Sequence, residues 1–128
     1  MTATLDSSAL TKFATHDRAT MARIQRLLER DLWPPVVPTA VLVESLTGQG
    51  PRDARVNRLL RTCEVVDLDA VTARRAAALR TRARAGSAVA AIVVATAEAE
   101  ASELVITGDF EDLSRLARHA PGVSIMAI

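Results

Sequence analysis

Acidic side chains stand at several points in this chain where a carboxylate needs a reason. Asp6 follows directly on residues 2–5, TATL. Glu44 is alone among Val41, Leu42, Val43 and Leu46, and Asp109 and Asp112 cluster just past the apolar run LVIT. A carboxylate in apolar surroundings is expensive to bury unless it is paired or binds a cation. Several gathered together repel one another, so protons or cations must neutralise them. Oxygen-rich clusters of this kind suit Mg²⁺ or Mn²⁺. Such ions clamp a phosphodiester and lower the pKa of an attacking water. Each acid also has a plainer role when taken singly: Asp6 could merely cap the next helix, and Glu44 could lie on a solvent-facing stripe. Nothing points to a different chemistry. His16 and His119 lack metal-ligand spacing with Cys63, and there is neither a G-x-S-x-G elbow nor a Walker loop.

The elements that must position these acids alternate in type. Residues 2–5 make a first strand, with Asp6 at its carboxyl end, where open parallel sheets bind ligands. A helical stretch runs through Phe13. From 17 to about 31 an amphipathic helix carries Met21, Ile24 and Leu28 on one face and Arg23, Arg26 and Arg30 on another. Trp33-Pro34-Pro35 breaks it, and Val36-Val37-Pro38 is a short extended piece. Thr39 is expected to cap the helix bearing Glu44. Pro51 suits the first turn of the next helix, which has arginines at 52, 55, 58 and 61 and turns Val56, Leu59 and Leu60 inward. Residues 64–68, EVVDL, form a second convincing strand. Asp69 caps a long helix to about Ala85, with Ala73, Ala76, Ala77 and Leu79 inward. Residues 86–113 then read as an N-cap at Ser87, a helix apolar on nearly every face and therefore buried, a doubly buried strand over LVIT, and the acidic turn. Residues 123–127 supply the last strand. The alternation predicts one α/β domain over 1–128, with a parallel central sheet of about four to five strands and helices on both faces.

Composition narrows the function. About half of the 128 residues are apolar, so the chain is globular and long enough for one real core. Phe13, Trp33 and Phe110 are its only aromatics, which argues against a base-stacking platform for single-stranded nucleic acid. The net charge is near zero, but the cations are one lysine, Lys12, against fifteen arginines. Arginine's planar fork suits phosphate and carboxylate, although biased codon usage produces the same excess. The face with Arg23, Arg26 and Arg30 is a candidate for RNA phosphates or an acidic partner, and that with Arg55 and Arg58 for RNA phosphates, or both are simply solvated. A lone cysteine, Cys63, excludes an intramolecular disulfide and fits a reducing compartment. With no signal-peptide pattern and no apolar run of membrane-spanning length, the expected location is cytoplasmic.

Four segments in order, LDSSAL at 5–10, VPTAVLVESLTG at 37–48, SAVAAIVVATA at 87–97 and ITGDFEDL at 106–113, resemble PIN-domain ribonucleases, and among them the VapC toxins of VapBC toxin–antitoxin pairs. The resemblance covers essentially the whole chain. It implies that Asp6 takes the first acidic position, Glu44 the second and Asp109 the fourth, with Asp112 accessory and Thr107 the polar neighbour. It further implies Mg²⁺-dependent (or Mn²⁺-dependent) endonucleolytic cleavage of RNA, a homodimer, and a VapB-like antitoxin lodging a C-terminal segment in the acidic groove. One departure matters. The family pattern S-A-V-D-A opens the buried helix with an aspartate, and here that position is Ala90. The missing carboxylate would have sat in the helix's first turn, where the macrodipole favours it. Weak metal binding and little or no nuclease activity are therefore expected. Such a replacement is also what silencing a toxic protein for expression would introduce.

Two other readings compete. A degenerate PIN domain would only sequester an antitoxin or RNA. A phosphoacceptor signalling domain also puts acids at strand ends, but it needs an acidic pair after the first strand and a lysine near the last. Asp6 has no acidic neighbour, and Lys12 is the sole lysine.

Overall fold

Ala3, Thr4 and Leu5 form β1 (Ala3–Leu5), and all three are buried. Successive side chains of a strand point to opposite faces, so this strand is covered on both sides. The computed structural model, which describes residues 2–128, shows what covers it. After β1 come α1 (Ser7–Phe13), α2 (Arg18–Glu29), β2 (Val36–Pro38), α3 (Thr39–Ser45) and α4 (Gly50–Leu60). They are followed by β3 (Glu64–Val66), α5 (Ala70–Ala83), α6 (Ala88–Ala99), β4 (Leu104–Thr107), α7 (Phe110–Ala117) and β5 (Ser124–Ala127). Helix α1, with α2 and α4 against it, packs on β1 and β4. Helix α6, flanked by α5 and α7, packs on β1, β2 and β4.

The five strands are all parallel, in the order β3-β2-β1-β4-β5. The chain winds outward from β1 to β3 and then returns to the other side of β1 for β4. The β1/β4 boundary is thus the topological switch point, outside whose carboxyl ends such sheets open a crevice. Asp6 ends β1 and Thr107 ends β4. The register Leu5–Ile106 and the bond from the Asp6 amide to the Ile106 carbonyl at 3.1 Å set the two side by side.

The core is aliphatic, as the composition requires. Leu5, Leu10, Phe13, Val93, Val94, Ile106, Leu113 and Leu116 are all fully buried, and side chains of this size each stabilise the fold by roughly 1.5–3 kcal/mol. Phe13 meets Trp33 edge to face at 5.8 Å. Helix α6 is buried along most of its length, as its all-round apolar character predicts. Ser87 caps it by accepting the Ala90 amide at 3.0 Å, and Asp69 caps α5 through Thr72 at 2.7 Å. No helix among the described residues is long and apolar enough to cross a membrane.

Several local expectations are corrected. Residues 64–68 shorten to a three-residue edge strand, exposed over Glu64 and Val65, whereas Val36–Pro38 is an interior strand buried throughout. The cap position before α3 is Pro38, and the Thr39 hydroxyl instead accepts the Leu68 amide at 3.2 Å. In α2 the inward residues are Ile24 and Leu27, while Met21 and Leu28 are about half exposed. Ala77 faces solvent, and Leu60 and Ala73 are only half-buried.

Candidate active site at the carboxyl edge of β1 and β4

Asp6 is where β1 hands over to α1. Its backbone is extended, with φ −77° and ψ 167°, so its side chain can cap the helix: Oδ1 accepts the Ser7 amide at 2.8 Å. The plain capping role is therefore filled, but by one oxygen. Oδ2 accepts the Thr107 hydroxyl at 2.7 Å across the strand boundary. The side chain is 6% exposed. Burial is the largest influence on its carboxyl and pushes its pKa above the ordinary 3.8. The hydrogen bonds from Thr107 and Ser7 oppose that, and the charges of Glu44 and Asp109 add to it.

A web of hydroxyls ties the carriers of these acids together. Thr107 is fully buried, and while donating to Asp6 its Oγ1 accepts the Asp109 amide at 2.9 Å. Ser8 accepts the Gly108 amide at 2.7 Å and lies 3.5 Å from the Thr107 hydroxyl. A Cβ at residue 108 would stand 3.2 Å from Ser8, a contact tighter than side chains ordinarily make, so glycine suits the close passage of this turn. Ser7 donates its hydroxyl to Glu44 Oε1 at 2.9 Å. Glu44 is exposed on α3 and has the solvent-facing placement that its apolar neighbours had left open. Asp109 opens α7 without spending its carboxylate on a capping bond.

The structure thus gathers Asp6, Thr107, Glu44 and Asp109 at one edge. Asp112 stands in the first turn of α7, half-buried, with no hydrogen bond to the other acids among the described residues. Ala90 is 7% exposed near the start of α6, and its methyl group supplies no oxygen. Ser7 and Ser8 were not singled out from the sequence. The available signal was two hydroxyls directly after a strand-ending acid, in a helix's first turn.

Among the described residues the ion pairs are Lys12–Asp17 and Arg75–Glu98, so no base compensates the clustered acids. The donors fit a divalent cation in kind, since carboxylate and hydroxyl oxygens suit Mg²⁺ or Mn²⁺. In number they fall short: no three of the described His, Cys, Asp and Glu residues come together closely enough to hold an ion. The arginines lie elsewhere. Arg23 donates to the Ala127 carbonyl at 3.3 Å. With Arg26, Arg30, Phe13, Leu27 and Met126 it lines a groove of about 180 Å³ beside β5. Arg55 and Arg58 are exposed on α4.

A wholly parallel sheet with acidic side chains at its switch point defines an α/β protein with an acidic sheet edge. The PIN domain family model matches residues 3–119, and the chain belongs to that family. PIN domains are generally nucleases and generally use divalent metals. Three solved structures share the fold. VapBC2 from Rickettsia felis, bound to a DNA fragment from its promoter, is 14% identical with a TM-score of 0.73, covering 100% of this chain and 99% of that one. DNA-bound VapBC from Salmonella typhimurium is 15% identical with a TM-score of 0.75, covering 99% and 98%. A toxin–antitoxin complex from Klebsiella pneumoniae is 22% identical with a TM-score of 0.70, covering 96% of each chain. No curated protein sequence matches the chain.

Proposed function

We propose that the chain is the toxin half of a toxin–antitoxin pair: a VapC-like endoribonuclease that uses Mg²⁺ or Mn²⁺, attenuated by Ala90. The observation that carries this reading is the Asp6 carboxyl. It is buried at the sheet's switch point, raised in pKa by burial and by Glu44 and Asp109, and compensated by no basic side chain. Such a site favours a bound cation over bare anions. Asp6 and Asp109 would hold the ion, with Glu44 adding charge beside them, and the ion when bound would supply charge neutralisation for a phosphodiester and a more acidic water. Thr107 and the Ser7 amide orient Asp6, and the Ser7 hydroxyl orients Glu44. Asp112 is accessory. Ala90 leaves the third acidic position empty of charge, so the ion is held weakly.

The similar structures were solved as toxin–antitoxin complexes, which supports a VapB-like antitoxin as partner, its C-terminal segment entering the acidic crevice. The protein is read as a cytoplasmic homodimer acting on RNA, with Arg23, Arg26, Arg30, Arg55 and Arg58 available to phosphates. A second reading, a PIN domain that binds antitoxin or RNA without cutting, is favoured by the absence of any three-ligand cluster among the described residues.

One experiment separates them. Purified protein and its Ala90→Asp variant are assayed on structured RNAs with and without Mg²⁺. The variant is expected to cleave in a metal-dependent way, and the chain as written to be slower by about 10–100-fold, the scale on which metal-site support acts. Equal rates for the two would sink the attenuation. An Ala90→Asp protein inert with Mg²⁺ and with Mn²⁺ would leave the binding reading in its place.

A further inference from the structure

β5 is a sheet edge with its outer hydrogen-bonding groups open. The Ser124 amide donates to the Glu103 carbonyl at 2.7 Å and the Ile128 amide to the Thr107 carbonyl at 2.9 Å, so 124, 126 and 128 face β4. Backbone groups alternate along a strand. Ile125 and Ala127 therefore turn their amides and carbonyls away from the sheet, where no further strand pairs. Arg23 meets the Ala127 carbonyl, and the rest have no partner among the described residues.

A groove lies on each side of that edge. Met126 lines the one of about 180 Å³ on the α2 side, whose charged members are Arg23, Arg26 and Arg30. Ile125, pointing to the opposite face, lines one of about 270 Å³ on the α7 side with Phe110, Val123 and Arg118. An open edge with pockets for alternate side chains on both faces is how extended peptides are captured by strand addition. The opposite edge is a poorer template, because β3 has three residues and is followed by Asp67 and Asp69.

We propose that the outer edge of β5 docks an extended segment of a partner protein as a sixth strand. The segment alternates acidic residues, toward the three arginines, with apolar residues, toward Phe110 and Ile125. Arg23 gives up the Ala127 carbonyl to the incoming amide and turns to an acid of the segment. This surface is separate from the acidic crevice, and testing it requires neither RNA nor metal.

The probe is a blocked pentapeptide of alternating glutamate and isoleucine, titrated into ¹⁵N-labelled full chain, with a lysine–isoleucine peptide as control. Amide shifts and slowed exchange are expected at Ile125 and Ala127, with a shift of the Arg23 side-chain signals. The lysine peptide is expected to bind about tenfold more weakly, because like charges at an interface are penalised. Ile125→Pro removes an outward amide, which an edge strand tolerates, together with the side chain lining the α7-side groove, and should abolish binding while the rest of the spectrum is kept. Arg26→Gln with Arg30→Gln should erase the preference for glutamate. No shift at millimolar peptide, shifts centred elsewhere, or undiminished binding to Ile125→Pro overturns the proposal. So does protection of the same amides that grows with protein concentration alone, which would mean two copies pairing edge to edge.

Discussion

At Asp6 two demands fall on one side chain, a helix cap and a buried acid, and they respond oppositely to charge. An amide keeps the cap through its single oxygen and keeps Thr107 only if that hydroxyl turns to accept from the amide NH2, whereas the buried charge costs stability. Because the folded pKa is raised above 3.8, chiefly by burial, Asp6's contribution is full below that value and is lost as pH rises through the folded pKa. Asp6→Asn is therefore expected to raise Tm at pH 7, the gain vanishing below about pH 4. Asp53 has the opposite sign. Its carboxylate accepts the Thr47 amide and hydroxyl and the Gly48 amide at 2.8–2.9 Å, and these bonds hold its pKa below 3.8. Its stabilisation is present above 3.8 and lost as pH falls through the lowered value. Asp53→Asn should lower Tm at neutral pH, with the gap to the parent closing in acid. The same thermal measurement reads Ala90→Asp. If Ala90 faces the other acids, as the proposed function requires, a fourth acid adds repulsion, so the metal-free variant should melt below the parent and recover with Mn²⁺, while the parent's Tm hardly moves. That Asp6 and Asp109 stand just past strand ends was legible from residue type and place. The serines that hold them were not, because a hydroxyl's partner lies on another element.

Among the elements, α6 was the easiest to read, since a helix apolar on every face can only be buried. Helix α2 was harder. Met21, Ile24 and Leu28 share a stripe by spacing, but α2 packs mainly on α1. That narrow seat covers Ile24 and Leu27 and leaves Met21 and Leu28 in water. Thr39 misled in another way: the last residue of β2 occupies the cap position, and the hydroxyl is drawn to Leu68. The α5–α6–α7 layer has a tie invisible in any local pattern. Arg75 bonds both carboxylate oxygens of Glu98, at 2.6 and 3.0 Å, and the His119 carbonyl at 2.8 Å. Arg75→Met leaves Glu98 and that carbonyl without their partner, and urea unfolding should show a loss of roughly 1–3 kcal/mol. A loss near zero would mean that water replaces the guanidinium.

At the scale of the molecule, the most exposed large apolar residues among those described are Val43, at 81%, and Val71, at 77%. Val43 lies one helical turn beyond Thr39, which holds the Leu68 amide, and Val71 follows Leu68 by three residues. Large apolar side chains left this bare are candidates for burial against another surface, and the proposed homodimer supplies one. Val43→Glu with Val71→Glu is expected to shift the protein to monomer in light scattering while leaving its circular dichroism unchanged. A parent that is monomeric at all concentrations would remove that assignment.

By itself, the chain's order of residues determined the alternation of strands and helices, the buried helix and the acids at strand ends. These are consequences of local periodicity and of which side chains a short segment contains. Only the tertiary structure decided that β1 lies between β2 and β4. That placement brings Thr107 onto the carboxyl of Asp6 across 101 residues, aims Ser7 at Glu44, and leaves the outer edge of β5 open. Strand neighbours are chosen by burial and ladder register among segments far apart in the chain, and no local pattern records which segments will meet.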